Sequence, residues 1–203
     1  RETVLDPNGV ADKVKTYLLI NTSHDGSIAI QASITPVRVV CANTLNLALN
    51  TTKKRNGVKQ SFKIRHTQTA SGKVAVARET LGLAHKYMDS FDLMAKAMIE
   101  KEVSAQMFND IILAAYPKPE KDSKGALKKW ENKVVLLDDL YHNSPTNANI
   151  KGTKWGAFNA LTERLDYFRS GRGNSESLMA GASGFDPVLT AEKNKILKLV
   201  KSF

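Results

Sequence analysis

The chain has 203 residues, with 30 Lys and Arg against 20 Asp and Glu, a net charge of +10 and a pI near 9.6. That length supports one domain with a real core, and no apolar run is long enough to cross a membrane as a helix. A single cysteine, Cys41, argues against a disulfide framework and a Cys-based zinc site, and fits a reducing compartment. The basic balance points to a polyanionic partner, most simply nucleic acid.

Residues 1–12 are polar and carry Pro7 and Gly9, so they read as a loop. Residues 14–21 are rich in β-branched and aromatic side chains and read as a strand. A turn over 21–26 centres on Asp25 and Gly26. Residues 27–34 then alternate, with Ile28, Ile30, Ala32 and Ile34 on one face, which predicts the second strand of a hairpin. Thr35 suits a helix cap and Pro36 a first helical position. Val37, Val40, Cys41, Thr44, Leu45, Ala48 and Leu49 follow at helical spacing and predict a helix over 35–50. Arg38, Asn43, Asn46 and Asn50 fall mostly off its apolar face. Asparagine competes with helix backbone for hydrogen bonds, and such local conflicts tend to mark special sites. The plainer alternative is a core helix whose asparagines cap it or face water.

Residues 51–57 form a basic loop, and 59–67 alternate strictly as a third strand. Phe62, Ile64 and His66 point one way; Lys59, Ser61, Lys63, Arg65 and Thr67 point the other. Lys63 and Arg65 then stand roughly 6.6 Å apart on one face, close to the phosphate repeat of a nucleic-acid strand. From Lys53 to Arg78 the chain holds Lys53, Lys54, Arg55, Lys59, Lys63, Arg65, Lys73 and Arg78 with no acid, leaving 22 basic against 20 acidic residues elsewhere. The alternative for such a run is a solvated outer face.

A long helix is predicted over 71–100, with a possible break at Asp89 and Ser90 and a stripe that includes Tyr87, Phe91, Met94 and Met98. A second covers 104–116, stopped by Pro117 and Pro119. A charged linker leads to a third over 126–141, with Lys128, Lys129 and Lys133 as a possible extension of the basic surface. Thr153 caps a fourth, with Trp155, Phe158, Leu161, Leu165 and Phe168 toward the core. Residues 170–186 are Gly- and Ser-rich and read as a flexible loop, and an amphipathic helix over 187–200 follows. The fold class is α+β: an antiparallel sheet covered by helices, with a helical C-terminal half, in one domain over 1–203.

Three stretches, TPVRVVCANTLNLAL, YLLINTSHDGSIAI and GTKWGAFNALTERLDYF, together resemble the phage/plasmid-like protein family of phages, plasmids and integrated elements. That resemblance implies a domain of unassigned function, a bacterial cytoplasm, and a longer parent protein of which this chain is the C-terminal part. The sheet-and-helix outline is also similar to single-strand annealing proteins of the RecT, Redβ and Erf type, which assemble as rings or filaments.

Chemical motifs are sparse. There is no GxxxxGK[ST] and no GxGxxG, and no cofactor is expected. His24, His66, His85 and His142 show no metal-ligand spacing, so no metal site is expected. A nuclease would need His24 and Asp25 to converge with Asn159, Glu163 and Asp166, whose spacing of four and three could present Mg²⁺ ligands; ordinary solvated polarity is the simpler reading. The leading expectation is therefore a nucleic-acid-binding protein, single-stranded DNA favoured, without catalytic chemistry of its own. Arg38, Asn43, Lys53, Lys54, Arg55, Lys59, Lys63, Arg65, Lys73 and Arg78 would follow the phosphate backbone. No exposed aromatic is evident within the basic stretch to stack a base. The alternatives are a metal-dependent nuclease and a non-enzymatic protein that binds an acidic partner.

Overall fold

Thr3 and Leu5 are buried while Glu2 and Val4 face out, the two-residue period of a strand covered on one side. The N-terminal stretch is thus a strand, β1 (Glu2–Leu5), and not the loop its polarity predicts. The computed structural model describes residues 2–6, 11–21, 30–40, 61–64, 70–120, 123–169 and 186–203; at 19–21, 30–33, 61–64, 70–81, 83, 84 and 187 it describes the backbone alone. The strands β1, β2 (Asp12–Asn21), β3 (Ile30–Arg38) and β4 (Ser61–Ile64) form one antiparallel sheet in that order.

Residues 35–38 extend β3 and do not open a helix. Thr35 pairs with Tyr17, Pro36 with Thr16 and Arg38 with Val14. The proline is tolerated because β4 pairs only with Ile30 to Ser33, so at Pro36 β2 is the one described neighbour and no second donor is required. Residues 41–50, which hold the rest of the predicted helix together with Cys41 and Asn43, lie outside the described residues.

Among the described residues five helices follow: α1 (Ala70–Ile99), α2 (Ala105–Ala115), α3 (Lys124–His142), α4 (Lys154–Tyr167) and α5 (Pro187–Ser202). The protein is α+β with a helical C-terminal half. Helix α1 runs unbroken past Asp89 and Ser90, where Ser90 Oγ donates to the Lys86 carbonyl at 2.9 Å. Ser104, Ser123, Thr153 and Asp186 cap α2, α3, α4 and α5 by accepting from backbone N–H groups.

The inner sheet face contributes Leu5, Val14 and Ile34 to a core shared with Tyr87, Phe91, Met94 and Met98 of α1. Helix α4 lies at the centre, against α1, α3 and α5. Eleven of its 14 residues are buried, so it is covered on nearly every side. Phe168, expected inward, is instead 49% exposed just past its end. A Cβ at Gly156 would stand 2.4 Å from the Ile150 carbonyl oxygen, so only glycine lets the first turn of α4 lie against the preceding loop.

Candidate nucleic-acid interface

The outer sheet face is built by strand alternation. Asp12 and Val14 turn inward and are fully buried, so Lys13, Lys15 and Tyr17 turn outward. Both lysines are exposed and Tyr17 is 50% exposed. Lys13 holds a 3.6 Å surface pair with Glu2, the kind of contact that contributes little and yields easily to a phosphate. Thr35, the partner of Tyr17 in register, is buried beside it. Further along, Asn21 pairs with Gln31 and Gln31 with Lys63. Backbone position 63 therefore falls on the same face as Lys15 and Tyr17, and ties the start of the basic stretch to the sheet.

Sequence reasoning missed Lys13, Lys15 and Tyr17. The signal was available in the alternation of 13, 15 and 17 against 12 and 14. It was obscured because Asp12 and Lys13 look like loop residues. Of the residues proposed from sequence, Asn43, Lys53, Lys54, Arg55, Lys59 and Arg65 lie outside the described residues. Lys63 lies on β4, and Lys73 and Arg78 in the early turns of α1, where the backbone alone is described.

Arg38 does not line a groove. Its side chain is fully buried, and its Nε donates to both carboxylate oxygens of Asp12 at 2.8 and 3.0 Å. Its Nη atoms reach Asn147 Oδ1 at 3.4 Å and Asn149 Oδ1 at 3.2 Å, and Trp155 Nε1 donates to Asp12 Oδ2 at 2.9 Å. An arginine sealed in this way joins the sheet to α4 and to the loop before it, and offers no face to an external phosphate.

Asn159, Glu163 and Asp166 are likewise not solvated. All three are buried. Asn159 Nδ2 donates to the Trp155 carbonyl at 2.8 Å, Glu163 accepts from the Thr146 hydroxyl at 2.8 Å, and Asp166 accepts from the buried Lys193 ammonium at 2.5 Å. Burial raises the Glu163 carboxyl above its ordinary range; the Thr146 hydrogen bond and the nearby Arg38 oppose that, and Asp166 reinforces it. Among the described residues no group of three or more His, Cys, Asp or Glu side chains is placed to hold a metal. His24 and Asp25 lie outside the described residues.

On the helical half, Lys128 and Lys129 are exposed on α3, but Lys133 is drawn in. Its Nζ sits 4.6 Å from the centroid of the Tyr116 ring, and the Arg164 guanidinium sits 5.2 Å from the same centroid. Burial, reinforced by Arg164, lowers the Lys133 pKa, and Glu192 opposes the shift. Burial pushes the Tyr116 hydroxyl up to about 12, with Arg164 opposing.

An open groove of about 860 Å³ runs beside β1, with Lys96, Lys151, Asp6, Glu100 and Glu102 in its wall. Its charges are of mixed sign, and none of the residues proposed from sequence lines it. No helix among the described residues is long and apolar enough to cross a membrane.

The fold is an α+β domain whose antiparallel sheet shares a core with the helical half, with Lys13, Lys15 and Tyr17 exposed among the described residues. The chain belongs to the family described as Domain of unknown function (DUF932), whose model matches residues 2–185. No curated protein and no solved structure matches it.

Proposed function

We propose that this protein binds nucleic acid, single-stranded DNA in particular, in the recombination or replication of a phage or other mobile element. The observation that carries this reading is the outer sheet face, where exposed Lys13 and Lys15 are followed along β2 by a half-exposed Tyr17. Lysines two residues apart on a strand stand about 6.6 Å apart and present charges at a spacing a phosphate backbone can follow. A tyrosine beside them offers the stacking surface that single-strand binders use. The acid-free run from Lys53 to Arg78 adds eight cations, and β4 within it is paired to β3. Annealing of complementary strands is the activity that this surface would serve, and a ring or filament would extend it along the strand.

The test is the affinity of the full chain for a labelled single-stranded oligonucleotide and for its duplex. Tyr17→Ala should weaken single-strand binding by roughly 5- to 150-fold, the worth of one stacked base, while Tyr17→Phe retains it. Lys13→Glu with Lys15→Glu should weaken both. Unchanged affinity in all of these variants would overturn the sheet-face reading. If a Lys63→Glu/Arg65→Glu variant also kept full affinity, an acidic protein partner would be favoured instead.

A further inference from the structure

Tyr116 lies just past the end of α2, where α3, α4 and α5 each bring a charged side chain to it. Lys133 of α3 and Arg164 of α4 both lie against its ring, at 4.6 and 5.2 Å from the centroid. Arg164 Nη1 also donates to the Tyr116 hydroxyl oxygen at 3.4 Å, and that hydroxyl donates to Glu192 Oε1 of α5 at 3.3 Å. The Tyr116 backbone is tied to α3, because Trp130 Nε1 donates to the Tyr116 carbonyl at 2.8 Å. Lys118 stands 5.9 Å from the Trp130 ring and adds a third cation to the neighbourhood.

The charges here do not balance. Among the described residues, the ion pairs engage Lys13, Arg38, His142, Arg169 and Lys193, and neither Lys133 nor Arg164 has a carboxylate partner. Glu192 acts on Lys133 from α5, and it also accepts a hydrogen bond from the Tyr116 hydroxyl. Two partly buried cations against one ring repel each other, and low local dielectric strengthens that repulsion. A purely structural cluster gains from each cation–π contact and loses from their mutual repulsion. An anion between them would reverse the sign of the second effect.

We propose that Lys133 and Arg164 form a seat for a phosphate group at the junction of α3 and α4. Arg164 supplies a planar fork suited to two phosphate oxygens, and Lys133 a point charge. The Tyr116 ring fixes both side chains before the ligand arrives, so little side-chain freedom is lost on binding. This seat stands apart from the sheet face and does not rest on the nucleic-acid reading. The same chemistry would accept a free phosphate compound or a backbone phosphate of a strand.

The experiment is titration of the full chain with inorganic phosphate, followed through the Trp130 indole N–H resonance and by calorimetry. One saturable site is expected, with sulfate competing. Lys133→Gln and Arg164→Gln should each weaken it by at least about tenfold, as the loss of a charge-assisted contact does, and Lys129→Gln on the same helix should leave it unchanged. A parallel arm uses the oligonucleotide: competition by phosphate and a loss in Arg164→Gln assign a backbone phosphate, whereas unaltered oligonucleotide binding assigns a free phosphate compound. If a variant unfolds, acylation of Lys133 in the wild-type chain replaces it, with protection by phosphate expected. A titration that does not saturate, one identical in all variants, or a Lys133 that phosphate leaves unprotected would overturn the proposal.

Discussion

Arg38 Nε lies 2.8 Å from one carboxylate oxygen of Asp12 and 3.0 Å from the other, with both side chains wholly out of solvent. The pair closes the sheet onto the helices, because Trp155 of α4 shares the same carboxylate. Removing one partner leaves a buried charge uncompensated. Arg38→Met should therefore destabilise the fold by about 3–5 kcal/mol in denaturant unfolding. Replacing Asp12 and Arg38 together by apolar residues should cost less than the two single changes added. Additive losses would show that the pair is not coupled.

Gly156 and Gly82 make a matched test of backbone packing. At Gly156 an added methyl meets the Ile150 carbonyl oxygen, so Gly156→Ala should destabilise by about 1–3 kcal/mol, the usual cost of overpacking. Gly82 lies exposed in α1 with open space around it, and Gly82→Ala should stabilise by about 0.5–1 kcal/mol through helix propensity. Equal effects at the two sites would contradict the close approach at α4.

Glu163 sets a pH dependence of unusual sign for a carboxylate. Burial raises its folded pKa above the ordinary 4.5, against the Thr146 hydrogen bond and Arg38 and with the help of Asp166. The folded protein then keeps a proton that the unfolded chain has lost. The contribution of this group is greatest below pH 4.5 and declines as pH rises through the folded value. Glu163→Gln retains an acceptor for Thr146 and removes the titration. The variant should gain on the wild type as pH rises from acid to neutral, read as the difference in unfolding midpoint. A difference that shrinks over that range would contradict the assignment.

Lys193 and Asp166 form a second internal pair, at 2.5 Å, between α5 and α4. Lys193→Met should cost about 3–5 kcal/mol, because Asp166 would remain buried without its cation. Lys198→Met, at an exposed position on the same helix, should change stability by less than about 0.5 kcal/mol. Comparable losses at the two positions would remove the distinction between them.

The helical half was legible because its signals are local. Ser104, Thr153 and Asp186 start helices by the chemistry of their own side chains, and the stripe through Tyr87, Phe91 and Met98 has the period of the helix that buries it. Thr35 and Pro36 carry equally local helix-start chemistry, yet pairing with Tyr17 and Thr16 overrides it. The polar residues of α4 looked solvated because their partners are distant in sequence. Asp166 finds Lys193 27 residues away, and Trp155 finds Asp12 143 residues away. No short-range pattern holds that information. The basic run was plain in composition, whereas Tyr17 emerged only once register fixed which face of β2 meets solvent.

The most direct measurement is binding of a labelled single-stranded oligonucleotide across a salt series. With five or six phosphates contacted, log affinity should fall against log salt with a slope of roughly −4, at about 0.7 per phosphate on a single strand. That slope, with tighter binding to the single strand than to its duplex, is the expected result. No binding to either form at low salt, or an affinity indifferent to salt, would contradict a nucleic-acid interface on this protein.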